Sequence, residues 1–415
     1  MTTVRELAQR CKKASAAFGN LRSGDKNKLL EALALVLLEK RGFIKTENQK
    51  DILLAKENGL TDAMIDRLRL TDARIDGMAG GIRKVIALPD PVGGQDGAYR
   101  HPEGMLIARQ RVPLGVVGMI YESRPNVTVD SATLCLKSGN ACLLRGGKEA
   151  IHSNIALSEL IRKALKHCDL SEDLVCLVTD TNRQSAVDMM GLTGLLDVLI
   201  PRGGAGLINA VVENSRVPVI ETGVGNCHVY VDNQADLRMA TDITVNAKCS
   251  RPSVCNAAET LLVGSDIALK FLPLVQKGLE AYNVRLHGCP ETISILGDSV
   301  IPATEDDWGK EYLDYDLAVR VVSGVDEAIE HIGKYTSGHS ECIVTESYKN
   351  ARTFCEGIDA AAVYVNASTR YSDGEEFGMG AEIGISTQKL HVRGPMGLEH
   401  LTTVKYIIQG NGEIR

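Results

Sequence analysis

The sequence predicts an α/β protein made of two doubly wound parallel-sheet domains with a small extra arm. Three observations carry that prediction. Short apolar runs rich in leucine or β-branched residues alternate with longer stretches of helical period. Glycine-bearing turns, "LLRGGKEAIHSN" (143–154) and "LIPRGGAGLINAVV" (199–212), leave an apolar run and open a helix, as strand-to-helix turns of parallel sheets do. The alternation restarts near residue 227, and 415 residues exceed what a single hydrophobic core usually organises.

Taken in order, residues 1–90 read mostly as helices. The stretch 23–59 has apolar residues three and four apart, Asp25 near its start and Gly59 as a C-cap, and 61–88 repeats the style with two Thr-Asp openers. Segment 89–113 is rich in Gly and Pro and then alternates apolar with polar residues, which predicts an edge hairpin or long arm. "LGVVGMIYE" and "ACLLRGGKEA" read as strands joined by helical "NVTVDSATLCLKSGN", a βαβ unit. The helix "HSNIALSELIRKALKHC" and the strands "LVCLV" and "VLIPRGG" extend that sheet. In the second domain, "CHVYVD", "AAETLLV", "VRLHG" and "LAVRVVSG" are the expected strands, interleaved with helices such as "DIALKFLPLVQKGLEAY" and "VDEAIEHIGKY". "TTVKYIIQGNGEIR" reads as a terminal strand. The expected division is 1–226 with 366–401, then 227–365, with 94–112 and 402–415 as arm and tail.

Apolar residues make up 44% and charged residues 24%, an ordinary soluble balance, and the net charge is -7. That sign speaks against nucleic acid or an anionic membrane surface as partner. It leaves room for a phosphate-bearing small molecule, because a local Arg/Lys cluster acts against the global charge. "LLEALALVLLEK" (29–40) carries two glutamates and reads as a buried amphipathic helix rather than a membrane span. The N-terminal stretch lacks the apolar core and cleavage site of a secretory signal. Eleven cysteines without CxxC pairs indicate neither a disulfide framework nor a zinc site, so no metal is expected and a reducing cytoplasm is the expected location.

One run stands out chemically: "NAKCSRPSVCNAAETLLV" (246–263). A cysteine nucleophile works as a thiolate and needs cationic surroundings, a tight turn and access. Cys255 has Arg251 and Ser253 within four residues, Pro252 before it, and small residues leading into a strand. Amides of such a turn can face a developing oxyanion. Cys249 has less of this context; yet a small buried thiol also satisfies it, so local sequence leaves both roles open. The two glycine turns carry Arg145 and Lys148, then Arg202, Gly203, Gly204 and Gly206, at positions where dinucleotides bind in such sheets. Neither matches GxGxxG, and glycine in either turn is also explained by sterics. His339, in "TSGHSECIV", is placed either in a substrate cleft or as a satisfied loop histidine.

The ordered set "VPLGVVGMIYESRPN", "SGNACLLRGGKEA", "LIPRGGAG", "IETGVGNCHVYVD", "SRPSVCNAAE", "EYLDYDLAVRV" and "VYVNASTRYSDGEEFGMGAEIGIST" resembles the aldehyde dehydrogenase superfamily over nearly the whole chain. "YESRPNVT", "RPSVCNAAET" and "FGMGAEIGIST" are more narrowly similar to its gamma-glutamyl phosphate reductase family. The resemblance implies a dinucleotide-binding first domain, a catalytic second domain, and an oligomerisation arm and tail. By position, Cys255 matches the catalytic thiol, Glu221 the general base of hydrolytic members, and Glu311 the glutamate that holds the nicotinamide ribose. Arg145 falls where relatives place a lysine on the adenosine ribose, and Lys148 where NAD-preferring relatives often carry a glutamate. Two cations there favour a 2′-phosphate, so the expected cofactor is NADPH/NADP. The side-chain oxyanion donor of relatives is an asparagine; here the aligned position is Arg124, with Asn126 two residues on. Either donates to the oxyanion, or the arginine clamps a substrate carboxylate or the leaving phosphate.

The reaction implied is reduction of L-glutamyl 5-phosphate to L-glutamate 5-semialdehyde in proline biosynthesis. The Cys255 thiolate expels phosphate, and hydride reduces the resulting thioester before water reaches it. A working base at Glu221 would promote hydrolysis, so a structural role or an influence on the thiol is expected of it. Arg124 and Arg251 are the candidate cations for the glutamyl head, with Ser253 and His339 beside them. A homo-oligomer is expected, and the ready hydrolysis of acyl phosphates makes the upstream glutamate kinase the further candidate partner. Two rival readings share the fold. The cations at 145 and 148 oppose an NAD-dependent hydrolytic aldehyde dehydrogenase. The retained cysteine, glutamates and turns oppose a noncatalytic nucleotide-binding subunit.

Overall fold

The computed structural model describes residues 2–415, which divide into two compact units. One runs to Thr222 and takes in 378–384 and 396–415; the other holds 223–377 with 385–395. Among the described residues, no helix is long and apolar enough to cross a membrane.

The first unit begins with helices α1 (Val4–Phe18), α2 (Ser23–Glu39), α3 (Arg41–Glu57), α4 (Asp62–Leu68) and α5 (Asp72–Ala87). The helical stretch 23–59 is thus two helices, broken at Lys40, which serves as C-cap of α2 and N-cap of α3. Gly59 lies at φ +70°, and the amides of Gly59 and Leu60 return to the carbonyls of Lys56 and Ala55, closing α3 with a left-handed residue that glycine adopts without strain. Thr61 and Thr71 cap α4 and α5 through their hydroxyls, as the two Thr-Asp pairs predict.

The extended arm is real as a sheet: β1 (Gln95–Arg100) and β2 (Leu106–Pro113) pair antiparallel, and the C-terminal strand β16 (Thr402–Gln409) pairs along the whole of β2. The central sheet of this unit is parallel. Its elements follow in sequence as β3 (Val116–Tyr121), α6 (Asn126–Lys137), β4 (Ala141–Arg145), α7 (Ile151–His167), β5 (Val175–Leu177), α8 (Arg183–Met190), β6 (Val198–Arg202) and α9 (Ala205–Asn214). The strand order is β5-β4-β3-β6. The chain therefore winds outward from β3 and then returns to the other side of it. That reversal leaves a crevice at the carboxyl ends of β3 and β6, where open α/β sheets bind their ligands. All six residues of β3 are buried, which suits a strand covered on both faces.

The second unit is a parallel seven-stranded sheet ordered β10-β9-β11-β8-β7-β12-β13. In chain order it runs β7 (Cys227–Val231), α10 (Leu237–Cys249), β8 (Ala258–Gly264), α11 (Ser265–Glu280), β9 (Arg285–Gly288), α12 (Pro290–Leu296), β10 (Ile301–Pro302), β11 (Asp316–Val322), α13 (Val325–Tyr335), β12 (Ser340–Val344), α14 (Tyr348–Gly357) and β13 (Ala362–Val365). A short hairpin, β14 (Ile385–Ser386) with β15 (Gly394–Pro395), completes it. Strand alternation sends side chains to two cores. Val229, Leu261 and Val319 meet Phe271 and Leu272 of α11 on one face, while Tyr230, Leu262 and Ile343 meet Ile332 and Phe354 on the other.

The structure departs from the expected division at 366–377 and 385–395, which join the second unit instead of the first. The reason is polar contact: Thr369 and Ser372 bond to Asn256, Ser372 also lies 2.5 Å from the hydroxyls of Ser340 and Tyr364, and in 385–395 Lys389 and Arg393 pair with Asp359. The boundary falls after Thr222 rather than 226, because Gly225 packs against residue 255.

Candidate active site

The candidate nucleophile sits on the turn between α10 and β8. Pro252 disfavours the helical conformation in the residue before it, so the chain leaves α10 at Cys249 and reaches β8 only at Ala258. Cys255 is half-buried on this turn, with Arg251 exposed and Ser253 half-buried beside it. The turn lies at the amino edge of the sheet, where β7 and β8 begin.

Backbone fixes the turn from below. Gly225 approaches so closely that a Cβ there would lie 1.5 Å from the Cys255 carbonyl oxygen. The Gly225 amide donates to Oε1 of Glu311 at 2.7 Å, and Cys227 Sγ donates to the Cys255 carbonyl at 3.2 Å. Glu311 thus holds the strand that carries the close approach. On the other side, Asn256 Nδ2 donates to the carbonyls of Arg370 (3.2 Å) and Ser372 (3.0 Å), and Arg370 Nε donates to Ser250 Oγ (3.0 Å). Gly225→Ala is expected to displace the 255 peptide and lower turnover on the order of 10²-fold, the cost of misplacing a reacting group by about 1 Å. Steady-state kinetics beside a circular-dichroism check of folding would read this, and a fully active Gly225→Ala protein would show the close approach to be dispensable.

Charges that sequence reading passed over brace the same turn. Lys248, immediately before it, and Glu259, immediately after it, are both fully buried, with Nζ 2.5 Å from Oε2. Burial pushes the Glu259 carboxyl up to about 7 even though the Lys248 ammonium pulls it down. Its other oxygen accepts the amide of Leu313, two residues from Glu311. Of the two places open to His339, the structure shows the buried one rather than a substrate cleft. It has no exposed surface, its Nδ1 lies 2.9 Å from Ser340 Oγ and 3.7 Å from Cys227 Sγ, and it supports the turn from beneath.

Accessibility singles out few thiols. Among the eleven cysteines, Cys168 and Cys255 are half-buried, Cys355 is exposed, and the rest are buried. Burial pushes Cys249 up to about 11 and Cys342 up to about 12. Cys168 and Cys355 are also raised, by burial and by the adjacent Asp169 and Glu356.

In the first unit, the crevice between β3 and β6 gathers most of the other predicted residues. Arg202 ends β6, and exposed Gly203, Gly204 and Gly206 open α9. Glu122, following β3, already accepts the Gly204 amide at 3.0 Å. Arg124 is half-buried on the loop after β3. Asn126 opens α6 and gives one amide hydrogen to Asp130 Oδ2 at 2.8 Å, leaving a single donor for an oxyanion. Burial lifts Asp130 to about 6, against that hydrogen bond and the charge of Arg202. At the end of β4, Lys148 is exposed, whereas Arg145 donates to the carbonyls of Thr181 (3.0 Å) and Asn182 (3.2 Å) and so also holds the start of α8. Glu221 is half-buried on an extended segment, 217–222, that runs beside β6.

The sequence model of the aldehyde dehydrogenase family matches residues 2–292. A relative from Carboxydothermus hydrogenoformans named gamma-glutamyl phosphate reductase is 59% identical over 415 residues, 100% of both chains. One of the same name from Clostridium perfringens is 56% identical over 407 residues, 98% of each chain. The crystal structure of gamma-glutamyl phosphate reductase from Thermotoga maritima superposes with a TM-score of 0.97 at 50% identity, covering 99% of each chain. This match from end to end, in sequence and in fold, places the chain in the aldehyde dehydrogenase family and, within it, among the gamma-glutamyl phosphate reductases.

Proposed function

We propose that this protein reduces L-glutamyl 5-phosphate to L-glutamate 5-semialdehyde with NADPH, releasing phosphate, through a thioester on Cys255, as a step of proline biosynthesis. The observation that carries the reading is an accessible Cys255 on a rigidly clamped, arginine-flanked turn in a chain 59% identical, end to end, to a reductase of that name.

The Cys255 thiolate attacks the acyl carbon, the carbon–oxygen bond to phosphate breaks with its electron pair on the phosphate oxygen, and a thioester remains. Phosphate leaves without needing an acid. When bound, the reduced nicotinamide supplies the hydride. The hemithioacetal on Cys255 then collapses, restoring the thiolate and releasing the aldehyde. Amides of the turn between Arg251 and Asn256, since those of Ser250 and Ala257 bond the Asn246 and Val254 carbonyls, and the remaining amide hydrogen of Asn126 are the candidate oxyanion donors. Arg124 is the candidate partner of the substrate's α-carboxylate. Glu311, through Gly225, positions the turn; a base at Glu221 would divert the thioester to water, so its role is structural.

A dinucleotide fits the first unit's crevice, where the exposed first-turn amides of α9 and the Arg202 cation offer a pyrophosphate site. Lys148 is the cation assigned here to a 2′-phosphate: it is exposed, whereas Arg145 is engaged with 181–182. Lys148→Glu is expected to lower the preference for NADPH over NADH at least about tenfold, equivalent to about 1.4 kcal/mol. The ratio of kcat/KM for the two cofactors measures it, and an unchanged ratio would remove Lys148 from the site. The arm sheet, with exposed Tyr99, Tyr406 and Ile408, supports a homo-oligomer.

The whole reading is tested by phosphate-dependent NADP reduction with the semialdehyde. NADH formation from free aldehyde without any phosphate requirement would replace it with the hydrolytic alternative.

A further inference from the structure

We propose that Arg370, together with Arg251, holds the phosphate end of the acyl phosphate beside Cys255, and that inorganic phosphate binds the same pair in the reverse reaction. This rests on the function proposed above. Nothing in the local sequence joins Arg370 to the nucleophile, from which it stands more than a hundred residues away. The fold brings it there. Its Nε bonds to Ser250 Oγ, its carbonyl accepts Asn256 Nδ2, and its neighbour Thr369 bonds the Asn256 carbonyl at 2.7 Å, so the segment is sewn to both ends of the Cys255 turn.

The electrostatics agree with that placement. Burial and then repulsion from Arg251 hold the Arg370 guanidinium below its usual range, while the charge of a Cys255 thiolate pulls it up, ahead of Asp373. Two guanidinium groups that repel each other, one of them half-buried and tied to Ser250, gain most from a dianion between them.

Substrate chemistry selects the phosphate over the α-carboxylate. The phosphate is joined through one oxygen to the very carbon that sulfur attacks, whereas the α-carboxylate lies at the far end of the carbon chain. A cation pair at the thiol, Arg251 on its turn and Arg370 laid against that turn, therefore faces the leaving group. As the carbon–oxygen bond breaks, the electron pair moves onto a phosphate oxygen already paired with arginine. In reverse, a phosphate oxygen attacks the thioester carbon and the carbon–sulfur bond breaks to return the thiolate.

The test compares Arg370→Ala, Arg370→Lys and Arg251→Ala with the parent in NADP reduction by semialdehyde and phosphate. Arg370→Ala should raise the KM for phosphate roughly 10–100-fold, the loss of a charge-assisted hydrogen bond, with the KM for NADP and semialdehyde nearly unchanged. Arg370→Lys should recover part of it, and exposed Arg251→Ala should show the same effect in smaller measure. A second readout needs no turnover: inorganic phosphate should slow iodoacetamide labelling of the Cys255 peptide in the parent, and not in Arg370→Ala. If phosphate KM and protection persist in Arg370→Ala, or if the semialdehyde KM rises instead, the phosphate site is overturned. A parent without NADP reduction sinks the proposed function, and the protection assay then still decides the phosphate site.

Discussion

Cys255→Ser should abolish phosphate-dependent NADP reduction, with a loss of at least about 10³-fold, while leaving the fold intact. Serine fills the same half-buried place on the turn, so the clamps from Gly225, Asn256 and Arg370 persist. What disappears is the thiolate: a hydroxyl is a weak nucleophile at neutral pH unless a base activates it, and the arginines flanking the turn stabilise an anion without accepting a proton. The measurement is single-wavelength kinetics in both directions, beside a thermal melt that compares parent and variant. In the parent, peptide mapping after brief iodoacetamide treatment should find Cys255 modified ahead of Cys168 and Cys355, the other thiols outside the core, because burial and neighbouring carboxylates raise both. A serine variant that turns over at the parental rate would end the thioester mechanism and return Cys255 to the status of a packing residue.

Most of the fold was readable in advance because its signals are local. β3, β4, β7 and β8 are wholly or nearly wholly buried and read as continuous apolar runs, and their helices show helical period. The strands that escaped are those whose burial depends on distant partners. "SECIV" opens with Ser and Glu, yet Glu341 of β12 is fully buried because it accepts the amide of His228 at 2.8 Å and lies 2.9 Å from its Nδ1. β13 is four residues long and only partly buried. The break at Lys40 is likewise invisible locally, since apolar spacing continues on both sides of it.

The site divides the same way. Cys255, Arg251 and the glycine turns stand out in the sequence because loop residues between strand and helix advertise themselves. Arg370 and Gly225 do not, although both lie in stretches that carry the family resemblance. Their importance is a matter of approach: a carbonyl beneath a glycine, a guanidinium laid against a serine at the start of the turn. His339 keeps both its readings open in the sequence, because its Gly-Ser surroundings suit a surface loop and a buried one alike; in the structure it is buried against Ser340.

Lys248 and Glu259 show the largest consequence of this blindness. A charge in "NAKCS" or in "AAETLLV" reads as solvated, and each is buried only because the other is opposite. Removing one partner leaves an uncompensated group in the core of the second unit, so Lys248→Met should lower stability by about 3–5 kcal/mol at alkaline pH. The pH dependence has a definite sign. Burial places the folded-state carboxyl of Glu259 near 7, above its unfolded value, so the protonated form is favoured on folding. That contribution is complete at acid pH and fades as pH rises through about 7. Without the ammonium the carboxyl rises further. The deficit of Lys248→Met should therefore be smaller at pH 5–6, where Glu259 takes up a proton, and grow toward pH 9, roughly tracking the loss of that proton. Lys248→Met with Glu259→Gln should recover much of the loss, because glutamine removes the buried charge and keeps an acceptor for the Leu313 amide. Urea unfolding of the parent, both single variants and the double variant across pH gives the coupling directly. A pH-independent deficit, or strict additivity of the two substitutions, would mean that the pair is not what holds the ends of the nucleophile turn together.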